Sequence, residues 1–254
     1  MSSPDALEQI IDETCELVRR AARGKGRVVA LSPEVAERLN SMPPARADAP
    51  VPAVHTTDAA PADNAALKTL QQQVAACTKC PLHQTRTHTV FGAGNPHADL
   101  VFVGEAPGRD EDLQGKPFVG AAGQLLTDII VKGMKMSRQD VFICNVLKCR
   151  PPNNRNPLPS EVEMCEPYLI RQLELLQPKV ICALGTYAAQ TLLKTDVSIS
   201  RLRGQWHFYH GIPLRATFHP GYLLRNTGGK GKTWADIKEI MKLLRGEVAP
   251  TPES

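Results

Sequence analysis

The placement of four cysteines constrains this chain more than any other feature of its sequence. Cys77 and Cys80 form a C-x2-C pair, and Cys149 and Cys165 follow as a second pair with fifteen residues between them. A C-x2-C pair puts two sulfurs within reach of one metal ion or cluster, and a second pair can close the other side. The spacing therefore predicts a metal centre that joins segments distant in sequence.

A disulfide framework fits these cysteines poorly. The chain has 7 cysteines, an odd number, and 254 residues, and its acidic, amphipathic N-terminus is unlike a signal or transit peptide. We therefore expect a reducing, cytoplasmic setting. Zinc and iron–sulfur both stay open, although the fifteen-residue gap is longer than a paired C-x2-C zinc knuckle uses and favours iron–sulfur.

Positive charge is concentrated in the second part of the chain. Residues 1–66 carry 7 Lys and Arg against 10 Asp and Glu, whereas residues 67–254 carry 23 against 16. This excess suits a polyanionic partner, because each basic side chain that binds a phosphate releases counterions. It is also compatible with an ordinary soluble basic protein. No apolar run approaches the ~20 residues that span a membrane, so no membrane contact is expected.

The first 66 residues are predicted to be an extension that precedes the main domain. Residues 1–42 are predicted to be a helical extension, with an apolar stripe along a helix over 4–23. In residues 43–66, 14 of 24 positions are Pro or Ala, which is typical of a linker that cannot bury enough apolar surface to fold. Residues 1–66 are a possible docking element for a protein partner.

Residues 67–254 are predicted to form one α/β domain. Apolar, β-rich runs occur at 99–104, 140–147, 179–184 and 212–218, and helical patterns follow at 121–133, 160–176, 185–194 and 233–245. Continuous apolar strands that are each followed by a helix indicate a parallel sheet covered on both faces. Such sheets bind ligands at the carboxyl ends of their strands.

Three of the predicted strands end in residues that suit a site. Strand 99–104 runs into Glu105 and an acidic turn, strand 140–147 carries Asn145, and strand 212–218 is followed by His219. Each of these residues has an ordinary explanation as a turn or cap. An acid, an amide and an imidazole at one sheet edge are together what a catalytic site needs.

Several distinctive motifs follow one another between residues 70 and 245. These are C-x2-C-P-L (77–82), FVGEAPGRDEDLQGKPFVGAAGQLL (102–126), ICNVLKCRPPNNRNP (143–157), Cys165, ALGTYA (183–188) and FHPGYLLRN (218–226). In the order and spacing of these motifs the chain resembles the family 4 uracil-DNA glycosylases, the iron–sulfur branch of their superfamily.

This resemblance implies a fold and a cofactor. The fold is a three-layer αβα sandwich around a central four-stranded parallel sheet. The cofactor is a [4Fe–4S] cluster, with four ligands: Cys77, Cys80, Cys149 and Cys165. Cys15, Cys144 and Cys182 fall outside that set, the last two as small buried hydrophobes in strands.

The implied reaction is hydrolysis of the bond between uracil N1 and deoxyribose C1′, which leaves an abasic site and initiates base excision repair. The base must first be flipped out of the DNA stack. By resemblance, His219 donates a hydrogen bond to uracil O2, Asn145 reads the N3–H and O4 edge, and Phe118 stacks on the ring. The main chain of Glu105, Ala106 and Pro107 lines the pocket.

Water activation is the least specified part of the implied site. Ala106 stands where the best-known uracil-DNA glycosylases carry an aspartate, and alignment with the family selects Glu111 to position water. For contact with DNA, the resemblance indicates Leu223, Leu224 and Arg225, with an apolar side chain wedged into the stack. Further basic residues are predicted to follow the backbone: Lys148, Arg150, Arg155, Arg201, Arg203, Lys230 and Lys232.

The sequence leaves three other interpretations, each with its own expectation. A superfamily variant that cross-links to the abasic sugar needs a histidine in its inserted loop, and residues 150–164 contain none. A non-catalytic iron–sulfur DNA-binding module of replication or repair machinery predicts binding without base release. A zinc-centred nucleic-acid domain predicts a colourless protein. The expected molecule is a monomer that acts on uracil-containing DNA.

Overall fold

A mixed six-stranded sheet forms the centre of the structure, a computed structural model that describes residues 64–251. The strands are β1 (Ala93–Gly94), β2 (Leu100–Gly104), β3 (Phe142–Asn145), β4 (Val180–Leu184), β5 (Trp206–Tyr209) and β6 (Ile212–Thr217). Their order across the sheet is β1-β3-β2-β4-β6-β5. The order reverses next to β2, which has β3 on one side and β4 on the other.

The four inner strands are parallel, as the sequence predicts. Val103 pairs with Cys144 of β3 and Ala183 of β4, and Ala183 pairs in turn with Ala216 of β6. The two edge strands β1 and β5 are antiparallel to their neighbours and were not predicted. The four-stranded parallel sheet is thus the inner part of a wider mixed sheet.

Helices follow the strands in the predicted alternation. They are α1 (Asn64–Ala75), α2 (Arg109–Gln114), α3 (Ala121–Asp128), α4 (Pro159–Leu176), α5 (Thr186–Leu193), α6 (Ile199–Leu202), α7 (Pro220–Arg225) and α8 (Lys230–Leu244). A π-helical segment, Ile129–Met134, continues α3. Helix α1 begins inside the segment predicted as a linker, because Ala65 and Ala66 are strong helix formers. The helix predicted over 4–23 lies outside the described residues.

Two apolar cores cover the two faces of the sheet. On one face, Val101 and Ile181 pack with side chains of α1, α4 and α5, such as Leu169. On the other face, Phe102 packs with α3, the π-helical segment and α8, as at Ile237. Alternate residues of each strand therefore point into opposite cores, and the three-layer αβα arrangement is confirmed.

None of the helices within residues 64–251 has the length and apolar character needed to cross a membrane.

Candidate functional site

A pocket of about 220 Å³ opens at the carboxyl ends of the inner strands. It brings together every residue that the sequence selected for substrate binding and catalysis. Its lining comprises Glu105, Ala106, Pro107, Gly108, Glu111, Phe118, Ala122, Asn145, Pro151, Asn154, Arg155 and His219. The location follows from the parallel sheet, whose strands all deliver their carboxyl ends to one edge beside the reversal in strand order.

Asn145 is the last residue of β3, and its side chain is 1% exposed. Its Oδ1 is buried and lacks a hydrogen-bond partner among residues 64–251. A buried acceptor without a donor costs free energy, so such atoms are typical of places where a ligand supplies the donor. Only a glycine fits at position 104 beside these side chains, because a Cβ there would lie 2.3 Å from Asn145 Oδ1 and 2.7 Å from the Phe118 ring.

His219 caps the N-terminus of α7, and this contact fixes its protonation state. Its Nδ1 accepts a hydrogen bond from the backbone N–H of Gly221 at 3.0 Å, so the proton of the neutral ring is on Nε2. Burial is the main cause that lowers the pKa of His219 to about 4; the charge of Arg225 contributes to the shift, and Glu111 opposes it. At neutral pH the imidazole is therefore an uncharged donor through Nε2.

Phe118 contacts the pocket from a strained backbone. Its φ of 52° lies in the left-handed region, which bulky residues avoid. Arg138 holds it there by donating hydrogen bonds to the carbonyls of Pro117 at 2.7 Å and Phe118 at 2.9 Å. The Phe118 ring centroid is 5.7 Å from that of His219, and the rings are inclined by 36°. The two rings thus form adjoining walls of the pocket.

The acidic residues that follow β2 do not all face the pocket. Glu105 lines the pocket, and burial raises its pKa to about 7. Glu111 also lines it, and its Oε1 accepts hydrogen bonds from the N–H groups of Val119 at 2.9 Å and Gly120 at 3.0 Å. Asp112 instead accepts from the backbone of Thr87 at 2.9 Å and is not part of the pocket lining.

The four predicted ligands line one narrow cavity at the other end of segment 145–149. Arg86 Nη1 donates to Cys149 Sγ at 3.2 Å, and the N–H of Lys148 donates to Cys165 Sγ at 3.3 Å. The other polar residues of the lining are Lys79, His83, Lys148 and Tyr168. All six cysteines within the described residues are free thiols, and Cys144 and Cys182 lie in the cores of the sheet, away from this cavity.

The chemistry of the four sulfurs suits a bound group. Burial raises the pKa of Cys165 to about 11 and also raises that of Cys149, so thiolates there need a positive partner. Within residues 64–251, no three His, Cys, Asp or Glu side chains are placed to hold a single metal ion. The donor set, four cysteine sulfurs on one cavity with N–H groups donating to two of them, is of the kind that binds a thiolate-ligated centre.

Comparison with known proteins agrees with this geometry. The Uracil DNA glycosylase superfamily profile matches residues 91–244. A type-4 uracil-DNA glycosylase of Archaeoglobus fulgidus is 45% identical over 193 residues, which cover 73% of this chain and 96% of the relative. One from Thermotoga maritima is 47% identical over 185 residues, covering 71% and 96%. The chain belongs to the uracil DNA glycosylase superfamily. Its relatives place it in the type-4 branch.

In this superfamily member, two residues predicted to contact DNA have different surroundings. Leu224 is 48% exposed on α7, beside the exposed Arg225, whereas Leu223 is 1% exposed and packs inward. Because α7 turns successive side chains to opposite sides, Leu224 is better placed than Leu223 to meet DNA, and the contact of Leu223 with DNA stays a prediction. The prediction that Lys148 follows the DNA backbone is wrong, since Lys148 is 1% exposed.

Other residues of the superfamily site were missed by sequence reasoning. Arg138 supports Phe118 from 20 residues away, and no local pattern indicates that contact. Asn154 and Arg155 line the pocket. The basic, proline-rich stretch that contains them was a usable signal, although it was assigned to the DNA backbone. Arg155 is held by a two-pronged ion pair with Glu161, at 2.9 and 2.5 Å.

Proposed function

We propose that this chain removes uracil from DNA by hydrolysing the N-glycosidic bond, and that it carries a [4Fe–4S] cluster. The observation that carries the proposal is the meeting of Asn145, Phe118 and His219 in one pocket, with the Oδ1 of Asn145 buried and unpaired among the described residues. The type-4 uracil-DNA glycosylases to which the chain is similar support the same activity.

Asn145 supplies base selection. Uracil presents an N3–H donor, which the buried Oδ1 of Asn145 can accept, and an O4 acceptor, to which the amide N–H can donate. Neutral cytosine has no proton on N3 and carries an amino group at C4, so both groups would face the wrong partner. A site with unpaired buried polar groups discriminates strongly against such an analogue. Phe118 stacks on the flipped ring.

His219 supplies charge stabilisation. When the bond between N1 and C1′ breaks, its electron pair goes to uracil and the sugar gains positive character. A neutral Nε2–H that donates to uracil O2 stabilises this charge without first giving up a proton. Water then adds its oxygen to C1′, and the proton that it releases balances the charge of the departing base. The Gly221 contact keeps Nε2–H as the donor.

Two carboxyl groups are candidates for orienting that water. The resemblance selects Glu111, whose Oε1 is engaged by two backbone N–H groups, which leaves the role to Oε2. Glu105 is the second candidate, because burial raises its pKa to about 7 and a base is most useful when its pKa is near the working pH. Both side chains line the pocket.

Cys77, Cys80, Cys149 and Cys165 would hold the cluster, which would supply a structural cross-link between the segment after α1, the segment after β3, and α4. Hydrolysis of a glycosidic bond needs no electron transfer. The cross-link would fix segment 149–165 beside the pocket mouth, where Asn154 and Arg155 line the entrance. Leu224 and Arg225 would meet the DNA, with the leucine in the gap left by the base.

The decisive experiment uses a labelled oligonucleotide with one uracil, beside thymine and cytosine controls, and alkaline cleavage of abasic sites. We expect uracil-dependent cleavage that Asn145→Ala and His219→Ala both depress. DNA binding without base release by brown, cluster-loaded protein would contradict the proposal. That result would establish the chain as a non-catalytic iron–sulfur DNA-binding module.

A further inference from the structure

Lys148 is a buried cation in an unusual position. Its side chain is 1% exposed, and among the described residues no carboxylate forms an ion pair with it. Burying a charge without an ionic partner is costly, and a methionine of similar length would fill the same space at less cost. Lys148 also lines the cysteine cavity, so the sulfurs there are the charge partners within its reach, and its ammonium group does more than fill space.

The hydrogen bonds of Lys148 lead to the base-reading residue. Its Nζ donates to the main-chain carbonyl of Asn145 at 2.8 Å and to Gln172 Oε1 at 2.7 Å. Gln172 is fully buried on α4, and its Nε2 donates to the carbonyl of Phe91 at 3.1 Å. The end of β3 is thus tied to α4 through one lysine and one glutamine.

The backbone of the same residue leads to the cysteine site. The N–H of Lys148 donates to Cys165 Sγ, its carbonyl accepts from Val90 N–H at 2.7 Å, and Cys149 is the next residue. Only three residues separate the amide of Asn145 from a predicted cluster ligand. Lys148 therefore contacts both sites: its side chain binds the main chain of Asn145, and its backbone binds Cys165.

We infer that Lys148 is a positioning residue for uracil recognition, which acts by fixing the main chain of Asn145 so that its amide faces the base. This inference rests on the proposed function. It assigns no chemical step to the lysine, whose ammonium group is not part of the pocket lining. It predicts that the lysine matters only as long as the Asn145 amide is present.

The test measures the equilibrium affinity for free uracil, together with single-turnover excision and iron content. Lys148→Met should weaken uracil binding about tenfold, as expected when a buried carbonyl loses its donor, with normal iron content. In an Asn145→Ala background the same change should cost less than about twofold, because a residue acting through Asn145 has nothing left to position. Lys179→Met, a change of the same kind at an exposed lysine paired with Asp99, should leave binding and excision unchanged.

Equal losses in the two backgrounds, or an unchanged affinity for uracil, would overturn the inference. If Lys148→Met does not fold, Gln172→Met decides, because it removes the second acceptor of Nζ and keeps the lysine. That variant should weaken uracil binding about threefold, again only when Asn145 is present, and an effect that persists without Asn145 would overturn the inference. Failure of the proposed function is seen separately, as absence of excision by the unaltered protein.

Discussion

The pocket and the cysteine site share the segment 145–149 but differ in what holds their side chains. In the pocket, the protein supplies its own supports: Gly221 orients His219, and Arg138 fixes Phe118. In the cysteine site, four thiols surround a cavity, and their pKa values are raised where burial is deepest. One site is preorganised by hydrogen bonds between its own residues, and the other is a set of four thiols for which we propose a bound cluster.

This difference predicts how substitutions in the two sites affect the excision rate and the stability of the fold. Removal of one pocket side chain should lower the rate and leave the fold nearly intact, because the supports belong to other residues. Removal of one cysteine should affect the whole domain, because a metal centre binds only the folded ligand set and its binding free energy is folding free energy. The four predictions below test that division.

The largest expected effect is that of Cys165→Ser. Loss of one ligand should release the cluster and lower the free energy of unfolding by more than about 4 kcal/mol, the size expected when a structural metal centre is lost. Denaturant unfolding and iron analysis check it. The matched control is Cys182→Ala, a buried cysteine in the core beside α8, which should keep its iron and cost less than about 2 kcal/mol.

His219→Ala comes next. Loss of the Nε2–H donor should lower the single-turnover excision rate by about 10²–10³-fold, the range for one donor to a developing charge. The lost cap at Gly221 should cost only about 1 kcal/mol of stability. His219→Asn is the control, because asparagine restores a cap but not the imidazole donor. A rate for His219→Asn near that of the unaltered protein would contradict the assigned role.

Two adjacent leucines give a third test of the division. Leu223→Ala should cost about 2–4 kcal/mol of stability through a buried cavity and leave intrinsic DNA affinity intact. Leu224→Ala, at an exposed position, should change stability by less than about 0.5 kcal/mol and weaken binding to uracil-containing duplex by about tenfold, because the gap in the stack stays unfilled. Thermal unfolding and DNA titration distinguish them, and a reversed pattern would place Leu223 at the DNA.

The smallest effect is a pH dependence. Burial raises the pKa of Glu105 to about 7, so its carboxylate form and the excision rate should both rise by about tenfold from pH 6 to pH 8. The pKa of His219 is lowered to about 4, mainly by burial, so this residue stays neutral from pH 6 to pH 8 and does not change the pH dependence of the rate. Glu105→Gln should abolish the rise, and Glu111→Gln should keep it. A rise that survives in Glu105→Gln would assign it to another group.

Sequence reasoning reached the inner sheet because its strands are continuous apolar runs. It missed β5, although Gly211 between two β-rich runs is a usable sign of a hairpin turn. In the structure, His210 and Gly211 form this two-residue turn between β5 and β6, with positive φ angles of 48° and 80°. Strand β1 has only two residues and no such pattern. Short edge strands depend on a neighbour for their existence, so local propensity says little about them.

The site divides in the same way. Asn145, Phe118 and His219 were selected by resemblance and lie in one pocket. The burial of Lys148 could not be predicted, because Arg150 and Arg155 follow it closely and suggest a basic surface. The contact between Arg138 and Phe118 was equally hidden, since it joins residues 20 positions apart through the fold alone. Residue types could be predicted, but their supports depend on tertiary packing.

The two antiparallel edge strands have a consequence for association between molecules. A sheet edge with a long row of free N–H and C=O groups can recruit a strand of another chain and start aggregation. Here β1 offers two residues and β5 offers four, with exposed His210 and the Gly211 turn at the end of β5. β1 lies along β3 and β5 lies along β6, the two inner strands that would otherwise form the edges of the sheet. The apolar sheet that carries the site is thereby protected from extending into a neighbour.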